Sequence, residues 1–295
     1  MLRRTASLFC LFALGAQARA DGGIFVGSTP CNATVRTFLG IPAGDCDVVR
    51  WELSLGLDAR NAAPGPGVVQ VEYGVYGKKL RKLARSFKWE NGVGVANRKD
   101  ANIVELRRGK AALALWKIND ETLYFLDSRK RPLVGDANFS YALSFAVIDK
   151  LKAAAEPSID PARKFVPLAT GPKVFGVYEG RTPCDVSLTL KLDAPADCGK
   201  VRWRLTLFQD AKSGALTNYR LESALLAGAR EGAVSHLDGT PFDPLAKVLK
   251  LEGAGSQEPV YLLRADDDVL LFLDSTGKLG LGNRDFNYVL NRRKT

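Results

Sequence analysis

The sequence predicts an all-β chain of two tandem antiparallel domains joined by a proline-rich linker. Three observations carry that expectation: apolar residues recur at a period of two, Gly and Asp punctuate these runs, and the second half of the chain repeats the first. The alternation is plain in Trp51, Leu53 and Leu55, in Val69, Val71 and Tyr73, and in Leu113 and Leu115. It returns in Trp203, Leu205 and Leu207 and in Phe286, Tyr288 and Leu290. Turns are marked by Leu126-Asp127-Ser128-Arg129 and Leu273-Asp274-Ser275-Thr276-Gly277, where side chains bond the backbone or φ becomes positive. Short alternating runs with such punctuation imply a meander or barrel.

The repeat can be checked residue by residue. Gly27-x-Thr29-Pro30-Cys31 matches Gly180-x-Thr182-Pro183-Cys184, and Asp45-Cys46-x-Val48-Val49-Arg50-Trp51-x-Leu53-x-Leu55 matches Asp197-Cys198-x-Lys200-Val201-Arg202-Trp203-x-Leu205-x-Leu207. Phe125-Leu126-Asp127-Ser128, Gly135, Phe139, Tyr141 and Leu143 match Phe272-Leu273-Asp274-Ser275, Gly282, Phe286, Tyr288 and Leu290 at a constant offset of 147. Each copy has about 120 residues, too long for a solenoid unit and long enough to bury its own core.

Taken in order, residues 1–20 read as a secretory signal: Arg3 and Arg4 precede the apolar stretch Leu8 to Leu14, and Ala18-Arg19-Ala20 fits signal-peptidase cleavage. Cys10 lies inside the apolar run rather than after it, so no lipid anchor is expected. Domain one then covers 21–148, the linker 149–172 and domain two 173–295. Prolines 157, 161, 167 and 172 disfavour regular ladder bonding in the linker, with a short helix expected near Asp149 to Ala155. After the signal no segment has the roughly 18 uninterrupted apolar residues of a membrane helix. The expected compartment is periplasmic or extracellular.

Of the 295 residues, 46% are hydrophobic and 25% charged, which fits a globular chain and excludes a disordered or collagen-like one. One histidine and one methionine leave few nitrogen or thioether donors for zinc, copper or haem. No metal site, cofactor or catalytic residue is predicted. His236 lies between Ser235 and Asp238, but adjacency makes no triad and the expected place is a surface loop. Asp266-Asp267-Asp268 lacks the spacing of a calcium loop and reads as a hairpin turn. Gly92-x-Gly94 lacks the third glycine of a dinucleotide fingerprint.

The segment Lys78 to Lys110 holds eleven basic and three acidic residues, a local balance of +8 that exceeds the +7 (39 basic against 32 acidic) left after the signal is removed. Leu80, Leu83, Ala84 and Phe87 stand at helical spacing there, predicting a short amphipathic helix. Such a helix turns Lys78, Lys79, Arg81, Lys82, Arg85 and Lys88 outward, a candidate patch for an anionic partner. An envelope protein or anionic envelope polymer is the expected partner. Nucleic acid satisfies the same electrostatics but not export, and a merely solvated face is the alternative.

The opening Phe175-Gly176-Val177-Tyr178-Glu179-Gly180-Arg181-Thr182-Pro183-Cys184, the run Pro195 to Leu207, and the closing Leu273-Asp274-x-x-Gly277 with Phe286-Asn287-Tyr288-Val289-Leu290 resemble a known family. It is that of the NlpE-like bacterial envelope proteins, related to copper-resistance and envelope-stress lipoproteins. The resemblance implies a small lipocalin-like β-barrel for each copy. The family's Pro-Cys-Ala-Asp-Cys run is opened here, with thirteen residues between Cys184 and Cys198 and fourteen between Cys31 and Cys46. Close-spaced thiol chemistry and copper binding therefore do not carry over. Loss of Cys10 with the signal leaves four of the five cysteines; an exported chain with an even number is expected to form structural disulfides, and the duplication selects Cys31 with Cys46 and Cys184 with Cys198. A redox-sensing role for these bonds is the alternative. The expected function is that of a non-enzymatic envelope binding module; a small-ligand barrel or a hydrolase with an unrecognised site are the alternatives.

Overall fold

The structure, a computed structural model, describes residues 24–58, 60–146, 168–184, 198–223, 225–226, 228–253 and 257–294. The signal segment, the helix expected at 149–155 and most of the linker lie outside the described residues.

The two copies are two closed eight-stranded antiparallel barrels. Barrel one runs β1 (Ile24–Pro30), β2 (Val48–Ser54), β3 (Pro66–Gly74), β4 (Arg81–Val95), β5 (Arg98–Arg108), β6 (Ala111–Asn119), β7 (Thr122–Phe125) and β8 (Ala142–Phe145). Each strand pairs with the next, and β8 returns to β1 through Phe25 opposite Phe145 and Val26 opposite Ser144. Barrel two repeats this with β9 (Val174–Pro183), β10 (Lys200–Gln209), β11 (Leu216–Ser223), β12 (Arg230–Thr240), β13 (Asp243–Gly253), β14 (Val260–Arg264), β15 (Val269–Leu273) and β16 (Val289–Arg292). It closes where Asn291 lies opposite Glu179 and Arg292 opposite Tyr178.

Period-two alternation sends one set of side chains inward. In barrel one Val49, Trp51, Leu53, Val69, Leu106, Leu115, Leu123, Phe125 and Leu143 are fully buried. In barrel two Val201, Trp203, Leu205, Leu207, Leu221, Leu249, Leu251, Leu262 and Leu290 are buried likewise. The residues kept by the repeat recur because they do the same work twice. Trp51 donates its indole N–H to the Thr29 hydroxyl at 2.9 Å, and Trp203 donates to Thr182 at the same distance. Asp127 accepts the amides of Arg129 and Arg131, and Asp274 those of Thr276 and Lys278. Gly27 has no room for a side chain, because a Cβ there would stand 2.6 Å from the Ala142 carbonyl of β8; Gly180 is crowded in the same way by the Val289 carbonyl of β16. The disulfides pair as the duplication predicts, Cys31 with Cys46 and Cys184 with Cys198, each with Cα atoms 5.7 Å apart. Among the described residues no helix is long and apolar enough to cross a membrane.

Among the described residues one helix is present, and it is not the one predicted in the basic segment. α1 (Ala33–Leu39) lies between the two cysteines of domain one. Asn32 caps its start by accepting the Val35 amide. Gly40, at φ 70°, ends it with its own amide on the Thr37 carbonyl and that of Ile41 on Arg36, a Schellman pairing. Its buried face, Val35, Phe38 and Leu39, packs onto barrel one.

The segment expected to be helical is instead a tight turn followed by the first half of β4. Long-range pairing overrides the local spacing. Against β3, Leu83 stands opposite Val71, Arg85 opposite Val69 and Phe87 opposite Gly67. The Phe87 ring occupies the space a side chain at Gly67 would need, so the pair fits only in this register. Leu80 belongs to the turn and packs over Gly74. The apparent helical stripe thus joins residues from two different conformations.

Candidate functional site

The strand conformation redistributes the basic segment. Lys82 and Lys88 share the outer face of β4 with Ala84 and Ser86, whereas Leu83, Arg85 and Phe87 turn towards α1 and the core. Arg85, expected on the outward patch, is half-buried and donates to the Leu39 carbonyl at 3.3 Å. Arg108 donates to the Phe38 carbonyl at 2.6 Å. These two cations meet the unsatisfied carbonyls at the C-terminus of α1, where positive charge is favourable. Phe38 packs edge-on against Phe87 with ring centroids 6.2 Å apart, so the same strand supplies both the apolar and the charged seat of the helix.

Other members of the segment are also engaged. Arg107 pairs with Glu90 and Glu105, each at 2.8 Å, Arg98 with Asp243, and Lys82 with Glu72 at 3.6 Å. Lys78, Lys79, Arg81 and Lys88 are exposed and make no ion pair among the described residues. Three of these four crowd one tight connection, the β3–β4 turn at 75–80 and the residue after it. The chain can turn there because Gly74 and Gly77 have φ of 149° and 81°. The Asp47 carboxylate holds the turn by accepting the Tyr76 amide at 2.7 Å. Tyr76, 41% exposed, stacks edge-on against Phe139 at 5.3 Å. The result is an anchored turn presenting an aromatic ring beside unpaired cations. Lys88 stands at the far end of the β3 pairing, opposite Pro66, so it lies roughly 20 Å along the strand from Arg81. The predicted patch is therefore a compact cluster of Lys78, Lys79 and Arg81 with Lys82 at its edge, rather than one helical face.

Sequence reasoning missed Tyr76. The glycines at 74 and 77 on either side of it were the available signal of an exposed turn.

A second feature is a cleft of about 390 Å³ on the outer wall of barrel one, lined by Glu52, Gln70, Glu72, Lys82 and, from barrel two, Arg284. Arg284 lies 3.2 Å from Glu52 and 3.3 Å from Glu72, while Asp285 reaches Arg50 at 2.9 Å. Its charges neutralise one another across the junction, so the cleft is a seam between domains before it is a pocket.

The remaining candidate residues do not converge. His236 is exposed on strand β12, not in a loop, and strand alternation turns Ser235 to the opposite face. Asp238 is held by Lys247 at 2.7 Å, and that hydrogen bond keeps its carboxyl below the ordinary range. Asp266-Asp267-Asp268 forms the expected hairpin turn: Asp266 accepts the amides of Asp268 and Val269, and Asp267 pairs with Arg264. Burial raises the Asp266 carboxyl above its usual value despite those amides. Gly92 and Gly94 lie within β4. Among the described residues no group of three histidine, cysteine or acidic side chains is arranged to hold a metal ion.

No protein-family model, curated protein or solved structure matches this chain.

Proposed function

We propose that this chain is an exported, non-enzymatic binding protein, related to NlpE-like envelope proteins, that holds an anionic envelope protein or polymer on the β3–β4 turn of barrel one. The observation that carries the reading is the group of exposed cations Lys78, Lys79 and Arg81, without an ion pair among the described residues, on the anchored turn that also exposes Tyr76. Cations clustered at a fixed point create a local potential that attracts anionic groups. The repeat supplies an internal contrast. The equivalent connection of barrel two, Ala224-Leu225-Leu226-Ala227-Gly228-Ala229, carries no charge. Only one copy has acquired the cluster on a shared frame.

Two further facts support the reading. The described inward positions of both barrels are occupied by bulky side chains, Trp51 against Phe125 at 4.9 Å and Trp203 against Phe272 at 5.6 Å, which favours an outer surface for binding over a lipocalin-type cavity. Two disulfides suit an oxidising compartment, as the amino-terminal signal predicts.

The test is the affinity of the full mature chain for lipopolysaccharide vesicles and for an envelope extract, at low and high salt. The triple substitution Lys78→Glu, Lys79→Glu and Arg81→Glu is expected to weaken binding about tenfold or more and to flatten its salt dependence, with little change in Tm because exposed charges contribute little to stability. Unchanged affinity and salt dependence in that variant would refute the assignment.

A further inference from the structure

Two hydrogen bonds between the barrels are reciprocal. The Gly135 amide of barrel one donates to the Asn291 side chain at 2.8 Å, and the Gly282 amide of barrel two donates to the Ser144 hydroxyl at 2.8 Å. Gly135 corresponds to Gly282 and Ser144 to Asn291, both at the repeat offset of 147. Each copy therefore uses the same two positions on the other, the signature of an isologous interface about a twofold axis. The outward faces agree. Trp116 and Tyr124 of barrel one lie in the same apolar cluster as Leu263 and Leu271, their own equivalents in barrel two. Ile118, Val248, Leu273 and Val289 extend it. On a lone barrel these positions would face water; here Trp116 is 2% exposed and Leu263 fully buried.

One contact is different in kind. Ile103 lies opposite Trp116 and Val248 opposite Leu263, so Ile103 and Val248 correspond. Counting back five residues from each reaches the first residues of β5 and β13, Arg98 and Asp243. These two equivalent positions meet each other, as only residues near the axis can, and they form an ion pair with side chains 16% and 18% exposed. The Arg98 guanidinium also lies 5.3 Å from the centre of the Trp116 ring.

We infer that the outer face formed by β5–β8 and β13–β16 is a self-complementary dimer surface that the Arg98–Asp243 pair makes specific for the unlike copy, so that each barrel is the other's partner and neither is its own. A pairing of two barrel-one copies would set Arg98 against Arg98, and of two barrel-two copies Asp243 against Asp243, both in a poorly solvated place where like charges repel strongly. The opposite charges thus select the intrachain pairing over pairing between like repeats.

The test uses the full chain with a protease site inserted in the 149–172 segment, folded first and cut afterwards without reduction. The expected result is that the two halves elute together as one complex after cutting. Arg98→Asp alone and Asp243→Arg alone should each weaken the association of the cut halves about tenfold or more, and the double charge swap should restore it. Near-ultraviolet circular dichroism of each cut variant separates lost pairing from lost folding: the pairing reading requires that the single variants keep their tertiary signal. Wild-type halves that separate on cutting, single variants that lose the tertiary signal, or a swap no tighter than the singles would each overturn the inference.

Discussion

The indole-to-threonine bond provides a test that both barrels must pass. In each, a fully buried tryptophan donates to a fully buried hydroxyl at 2.9 Å: Trp51 to Thr29 and Trp203 to Thr182. Thr29→Val keeps the shape of the residue and removes only the acceptor, leaving the Trp51 N–H buried without a partner. Such an orphaned donor costs about 1–3 kcal/mol, which lowers the folding equilibrium constant of that barrel roughly five- to 150-fold. Thr182→Val should cost at least as much, since the Thr182 hydroxyl also reaches the Pro183 carbonyl at 3.1 Å. Adding Trp51→Phe removes the donor as well, so the cycle isolates the bond, and a coupling of about 1 kcal/mol or more is expected. Urea unfolding followed by circular dichroism and by tryptophan emission is the assay. Barrel two holds only Trp203 of the four tryptophans, so a Trp203→Phe background leaves the emission to barrel one. A Thr29→Val protein as stable as wild type within about 0.3 kcal/mol, or a cycle without coupling, would show that the repeated threonine serves something other than this bond.

The other structural predictions follow from single contacts. Cys31→Ser with Cys46→Ser opens a loop of sequence separation 15 and should cost about 3 kcal/mol, read as a lower urea midpoint at unchanged slope. Gly27→Val drives a side chain into the Ala142 carbonyl, 2.6 Å from the Cβ position, and should destabilise barrel one by about 2 kcal/mol or more in the same assay. For Asp127, burial opposes ionisation but is outweighed by the amides and guanidinium of Arg131 and the amide of Arg129, so its folded pKa lies below the ordinary value. The stability it contributes is present above the ordinary carboxylate range and lost as pH falls through the folded value. Asp127→Asn should therefore flatten the acid limb of the Tm-versus-pH curve, and an unchanged limb would contradict the linkage.

Much of the frame was readable from residues alone because strands leave a period-two trace and the duplication printed it twice. Trp51-x-Leu53-x-Leu55 and its repeat gave the inward face, and matched cysteines gave both disulfides. The basic segment was misread for a physical reason: Leu80, Leu83, Ala84 and Phe87 mimic a helical stripe, but the partner that decides the conformation, β3, is set by long-range pairing that local spacing does not encode. Arg85 left the proposed patch for the same reason, since the carbonyls it meets belong to a helix not anticipated between Cys31 and Cys46. The seam was hidden as well. Outward apolar residues such as Trp116 and Leu263 look like surplus core in a linear reading, and only their burial against each other's barrel shows that the copies pair.

The binding assignment is tested most directly by a two-dimensional NMR titration of the mature chain with lipopolysaccharide fragments at low salt. Amide shifts are expected to concentrate at Tyr76, Lys78, Lys79 and Arg81, with Lys82 at the margin, and to weaken together as salt is raised. Shifts centred instead on the core of either barrel, on the 224–229 connection of barrel two, or nowhere at all would contradict the assignment.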